Sequence, residues 1–132
     1  MKTNTNLGLV LIRFSVGALM LLHGIAKIGN TSFIEEMLAD KGLPVVLAYG
    51  VYITEIVAPL LILIGFRTRL AAGAYVFGIL FIIFLVHSQE VFTLNKNGGW
   101  AIELLGLYLF GALALFFTGG GKYSVSTSNA WD

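Results

Sequence analysis

Cysteine is absent from the 132-residue chain, which excludes disulfide frameworks, thiolate metal sites, iron–sulfur clusters and cysteine nucleophiles. Any redox role must therefore borrow its electron carrier. Charge is scarce too: 8 Lys and Arg face 7 Asp and Glu, 11% of the residues, where a soluble domain carries about 25%. A net charge of +1 leaves no basic patch for nucleic acid. The apolar–polar alternation over about ten positions that marks a membrane strand is missing as well.

What is present is hydrophobic, 58% of residues with a mean hydropathy of +0.90. It is gathered into four runs, 7–28, 45–64, 70–87 and 100–117. Each approaches the roughly 20 residues that a helix rising about 1.5 Å per residue needs to cross about 30 Å of hydrocarbon. The fold expected is all-α: an integral membrane antiparallel four-helix bundle, one domain over 1–132, with the lipid bilayer as its first partner. Gly24 and Ala26 give the first run a faint likeness to a cleavable signal, but Arg13 interrupts it and three more spans follow.

The connections carry the helix stops. Ser32-Phe33-Ile34-Glu35 fits a capping box, apolar residues follow at helical spacing, and Gly42 and Pro44 close the segment. A short interfacial helix between the first two spans is predicted. Residues 65–69 make a tight turn, and 88–99, with Asn95, Asn97, Gly98 and Gly99, an irregular loop. The Gly-, Ser- and Thr-rich end predicts a flexible tail over 124–132.

A charge facing lipid costs several kcal/mol, so intramembrane polar residues should face the bundle interior with partners. In the first span Arg13, Gly17, Met20, Gly24 and Lys27 share one stripe, with His23 beside them. The second span offers Glu55, whose carbonyl Pro59 leaves without its helical donor. His87 closes the third, while Trp100 and Glu103 open the fourth. Counting along antiparallel helices from the Arg67/Arg69 end places Arg13 at about 9 Å and Glu55 at about 14 Å, within reach of each other. His23, His87 and Glu103 fall at about 21–26 Å, with Lys27 slightly farther.

Each layer has two readings. Arg13 and Glu55 form either a pair that fixes helix register or a ligand or proton site. His23, His87 and Glu103 form either a hydrogen-bonded cluster or a site that ligates zinc or iron or anchors a quinone head group, with Trp100 over its mouth. No local metal-binding motif accompanies them. Lys27 is either a member of this site or a snorkelling anchor, as Arg69 is.

Arg13 with His23-Gly24-x-x-Lys27, the intramembrane Glu55, Gly65-x-Arg67-x-Arg69, His87, Gly99-Trp100 and Gly119-x-Gly121-x-Tyr123-Ser124 occur in an order that resembles the DoxX family, from about Leu9 to Ser124. The resemblance implies a four-helix protein of the bacterial inner membrane, related to subunits of quinone-linked sulfur oxidation and of oxidoreductase complexes. It points to an accessory subunit with a quinone as candidate cofactor and a protein partner in a membrane redox complex; an oligomer is compatible with it. The alternative is a non-catalytic scaffold or assembly factor, because the family is also similar to small eukaryotic proteins of cargo sorting and receptor assembly. No self-sufficient catalytic motif decides whether the chain is an enzyme. Lys2, Arg67, Arg69 and Lys122 against Lys27, Lys41 and Lys96 place both termini in the cytoplasm by the positive-inside bias.

Overall fold

The computed structural model describes residues 3–132. Helix α1 (Thr5–Ala26) starts where the Asn4 side chain accepts the Leu7 N–H at 3.0 Å, satisfying one donor of the open first turn. Helix α2 (Ser32–Asp40) is entered one residue earlier than the sequence signature implies. Thr31 holds the cap position and its hydroxyl donates to the Glu35 carboxylate, while Ser32 is already helical. Gly42, at φ +69°, ends α2 with Leu43 N–H bonded back to Leu38, the left-handed stop that favours glycine.

Helix α3 (Val45–Ile64) fills the second predicted span, but its winding changes along its length. A 3₁₀ turn over Val45–Tyr49 passes through Gly50–Tyr52 into a π turn over Ile53–Val57, and regular α-helix runs over Ala58–Ile64. Pro59 is the cause. It has no N–H for the Glu55 carbonyl, and in the widened turn the Ala58 N–H reaches Ile53, five residues back. Helix α4 (Thr68–Val86) follows, then α5 (Glu103–Thr118).

Helices α1, α3 and α4, of 22, 20 and 19 residues, are long and apolar enough to cross a membrane. Helix α5 has 16 residues and starts three residues later than the fourth predicted run. Trp100 is held instead in an isolated bridge to Leu94, and the Asn95 side chain accepts the Asn97 and Gly99 N–H groups. Local hydrogen bonds thus claim backbone that hydropathy assigned to the helix.

Arg13 bonds to Ile62 and Leu63, Gly17 lies against Pro59 and Leu63, and Gly24 against Glu55 and Ile56. Helices α1 and α3 therefore run in opposite directions. A methyl group at Gly24 would strike the Glu55 carbonyl itself, so glycine is required for this approach. The main core joins Val16 and Met20 of α1, Ile62 of α3, Tyr75 and Ile79 of α4, and Ala112 and Leu115 of α5. A smaller cluster of Leu38, Ala48 and Leu85 fastens α2 to the start of α3 and the end of α4.

Residues 124–132, expected to be a flexible tail, lie against the α3–α4 turn. Val125 and Ser126 N–H groups bond to the carbonyls of Ile64 and Gly65, and Trp131 accepts from Arg69 and Leu70. A helix end leaves carbonyls unpaired and a helix start leaves amides unpaired. The tail supplies partners to both.

Candidate functional site

Arg13 and Glu55 do not pair, which corrects the expectation from depth counting. Arg13 is 4% exposed and spends its guanidinium on the carbonyls of Ile62, Leu63, Gly120 and Tyr123 and the hydroxyl of Ser124, at 2.6–3.2 Å. Glu55 is paired with Lys27, whose Nζ lies 2.6 Å from each carboxylate oxygen. The reason is directional. Helical side chains lean toward their own N-terminus, so on antiparallel helices Arg13 leans toward the start of α1 and Glu55 toward the start of α3, away from each other. Lys27, just past the end of α1, leans back over the Glu55 carboxylate.

The pair is asymmetric: the Glu55 side chain is 3% exposed and that of Lys27 24%. Tyr52 ties α3 to the end of α1 beside the pair, its hydroxyl donating to the Lys27 carbonyl and accepting from the Gly29 N–H. The α3 backbone beneath is the π turn, which re-aims Glu55 relative to a regular helix.

Lys27 and Glu55 sit at the wall of a cavity of about 510 Å³ that His23, His87 and Glu103 also line. Five of the residues singled out from the sequence thus border one space, while Arg13 is remote from it. They do not act as a ligand set. The His87 Nδ1 is 2.8 Å from Glu90, His23 stands edge-on to Tyr108 with ring centroids 6.2 Å apart, and no group of three or more His, Asp or Glu among the described residues is arranged to hold a metal ion. The zinc or iron reading of His23, His87 and Glu103 therefore lacks its geometry.

Trp100 does not cover the mouth. Its indole N–H donates to Val91 at 2.7 Å and its ring rests on Gly106, so its polar end is spent within the 88–102 loop. The roof is made by Phe33 and Met37 of α2 instead. Tyr108 was missed as a lining residue. Its signal was available, since Tyr108 is the one hydrogen-bonding side chain of the fourth run besides Trp100 and Glu103. Phe33 and Met37 carried no signal beyond an apolar face. Arg69, read as an anchor in the interface, donates to the carbonyls of Phe116 and Ala130.

The cavity can do two things chemically. An ammonium has three donors, and two of those on Lys27 are engaged by Glu55, leaving one for an acceptor on a bound molecule. His23, on the wall of the same cavity, adds an imidazole with one nitrogen to donate and one to accept a hydrogen bond. No curated protein and no solved structure matches the chain. A family model described as DoxX matches residues 8–88, taking in Arg13, His23, Lys27, Glu55 and His87 but stopping short of Trp100 and Glu103. That match spans more than half of the chain, taking in α3 and α4 whole and α1 from Gly8 onward, so the chain belongs to the DoxX family of membrane proteins.

Proposed function

We propose that this protein is an accessory subunit of a quinone-linked oxidoreductase system of the bacterial inner membrane, and that the Lys27–Glu55 cavity takes the quinone head group. The carrying observation is the unspent Lys27 N–H beside a buried carboxylate in a cavity of about 510 Å³. A quinone carbonyl oxygen is an acceptor of the kind that donor fits, and His23 and Glu55 would hold or pass the protons that accompany quinone reduction. The bound quinone would supply the redox chemistry. With no cysteine for an iron–sulfur cluster, the reading assigns the source of electrons to a partner protein.

The architecture belonging to this reading is an antiparallel four-span bundle with α5 as its short fourth span, α2 in the interface, and both termini in the cytoplasm. Gentle detergent extraction followed by identification of co-purified quinone tests the function. The expected result is bound quinone in the parent protein and a loss of at least most of it in Glu55→Gln and Lys27→Met. A well-folded parent preparation that retains none and binds none on titration would overturn the reading in favour of the scaffold alternative.

A further inference from the structure

The cavity at Lys27 does not end at its polar wall. A second compartment of about 570 Å³ adjoins it, and the two share Lys27, Phe33, Met37, Glu55, Ile82 and Val86. Their chemistry is opposite. The first adds His23, His87, Glu103 and Tyr108 to the shared wall. The second adds apolar side chains, among them Val51, Ala74 and Phe81, with Thr54 as its one further hydrogen-bonding side chain, and the Thr54 hydroxyl is already committed to the Gly50 carbonyl.

The second compartment also opens sideways. Ile53 and Phe77 line it and are 56% and 73% exposed, and both belong to helices long and apolar enough to cross a membrane. Its opening therefore faces hydrocarbon. Water inside would find almost no polar partner, which such a space requires before it hydrates; a hydrocarbon chain requires none.

From this continuity we infer that the site takes one tailed amphiphile across both compartments, its head group at Lys27–Glu55 and its hydrocarbon tail among Val51, Ala74 and Phe81, entering from the bilayer between Ile53 and Phe77. The ligand class is thus a long-tailed membrane lipid such as an isoprenoid quinone, taken from the membrane and not from water. The placement of the head rests on the function proposed above. The tail compartment is a separate feature of the geometry, because the walls it adds beyond the shared residues come from α2, α3 and α4 without His23 or Glu103.

The natural absence of cysteine makes the test clean. Ala74→Cys, nearly isosteric, and Val51→Cys as a second variant each put one thiol in the tail compartment; Leu107→Cys on α5 puts one on an exposed apolar surface away from it. Alkylation by N-ethylmaleimide is timed with decylubiquinone, with tail-less duroquinone and with palmitate. Decylubiquinone at about ten times its Kd should slow labelling at Ala74→Cys and Val51→Cys about tenfold, leave Leu107→Cys unchanged, and lose its effect when Glu55→Gln is added. Duroquinone should bind without protecting either thiol.

Binding of both quinones with no protection of either thiol would overturn the tail assignment while leaving the head-group reading intact. Protection that survives Glu55→Gln would also overturn it, since an ordinary bilayer chain would then fill the compartment. If neither quinone binds, the quinone reading fails and palmitate decides the inference. Protection by palmitate that requires Lys27 sustains a tailed amphiphile of another head group; no protection overturns it.

Discussion

Lys27 can reach solvent and Glu55 cannot, so the two partners should respond unequally to mutation. Lys27→Met strands a buried carboxylate and is expected to cost about 3 kcal/mol, read as a shift in thermal unfolding in detergent. Glu55→Leu leaves an ammonium that can extend to the surface and should cost less. The double variant should lie close to the parent, because an apolar pair replaces an ion pair with no charge left over. Equal losses from both singles would contradict this asymmetry. Arg13 is a separate unit: it ties α3 to the segment after α5 through five hydrogen bonds, which the three donors of lysine on one point cannot reproduce. Arg13→Lys should therefore destabilise as Arg13→Met does, and Arg13→Met combined with Glu55→Leu should be additive to within about 0.5 kcal/mol. That Arg13 and Glu55 are buried was legible from the cost of placing a charge in lipid. Their partners were not, because counting along a helix locates the Cα and says nothing of where the end of a long side chain lands. Lys27, free to snorkel outward by that count, turns inward over Glu55.

At the scale of the helix, hydropathy located α1, α3 and α4 well and α5 less well, because it does not register contacts such as the Leu94–Trp100 bridge and the Ala101 N–H bond to the Thr93 carbonyl, which engage residues 100 and 101 outside the helix. The capping signature points to Ser32, whereas Thr31 takes the cap position and bonds to Glu35 four residues on, a spacing the signature does not contain. Pro59 announced a disturbance in α3 but not its form, since a kink and a π turn both answer a missing donor. The π turn also depends on α1, whose Gly24 lies flat against the Glu55 carbonyl. Gly24→Ala should push the two helices apart at the site itself, costing about 1–3 kcal/mol because backbone, not a mobile side chain, opposes the methyl group. On the function proposed above, it should also weaken retention of the quinone, because the shift occurs one turn from Lys27. Gly8→Ala in the same helix meets nothing within 4 Å and should be neutral or slightly stabilising through helix propensity. Thermal melts of the two variants side by side check both outcomes, and a harmless Gly24→Ala would mean that the α1–α3 approach is looser than the contacts indicate.

The chain as a whole is closed by its own end, a feature that composition concealed: a Gly- and Ser-rich stretch reads as mobile, yet its backbone finds the unpaired groups at the α3–α4 turn. The closing side-chain contact is Asp132, which accepts from Arg67, Ser126 and Asn129 at 2.6–3.1 Å. Burial alone would push its carboxyl up, but the hydrogen bonds from Ser126 and Asn129 and the charge of Arg67 hold it below the usual carboxylate range. A group whose folded pKa is depressed contributes its stabilisation above the unfolded value, near 3.9, and loses it as pH falls through the folded value. Docking of the tail should accordingly be constant from neutral pH down to about pH 5 and weaken only below about pH 4. The amides of Arg69 and Leu70, which bond to Trp131, report it: their hydrogen-exchange protection, corrected for intrinsic rates, should hold at neutral pH and fall on acidification. Asp132→Asn should show the weakened protection already at neutral pH and flatten the pH dependence, since the amide cannot carry the charge that Arg67 faces. Equal protection in Asp132→Asn and parent at every pH would mean that the backbone hydrogen bonds alone hold the tail, and that the Asp132 carboxylate only follows.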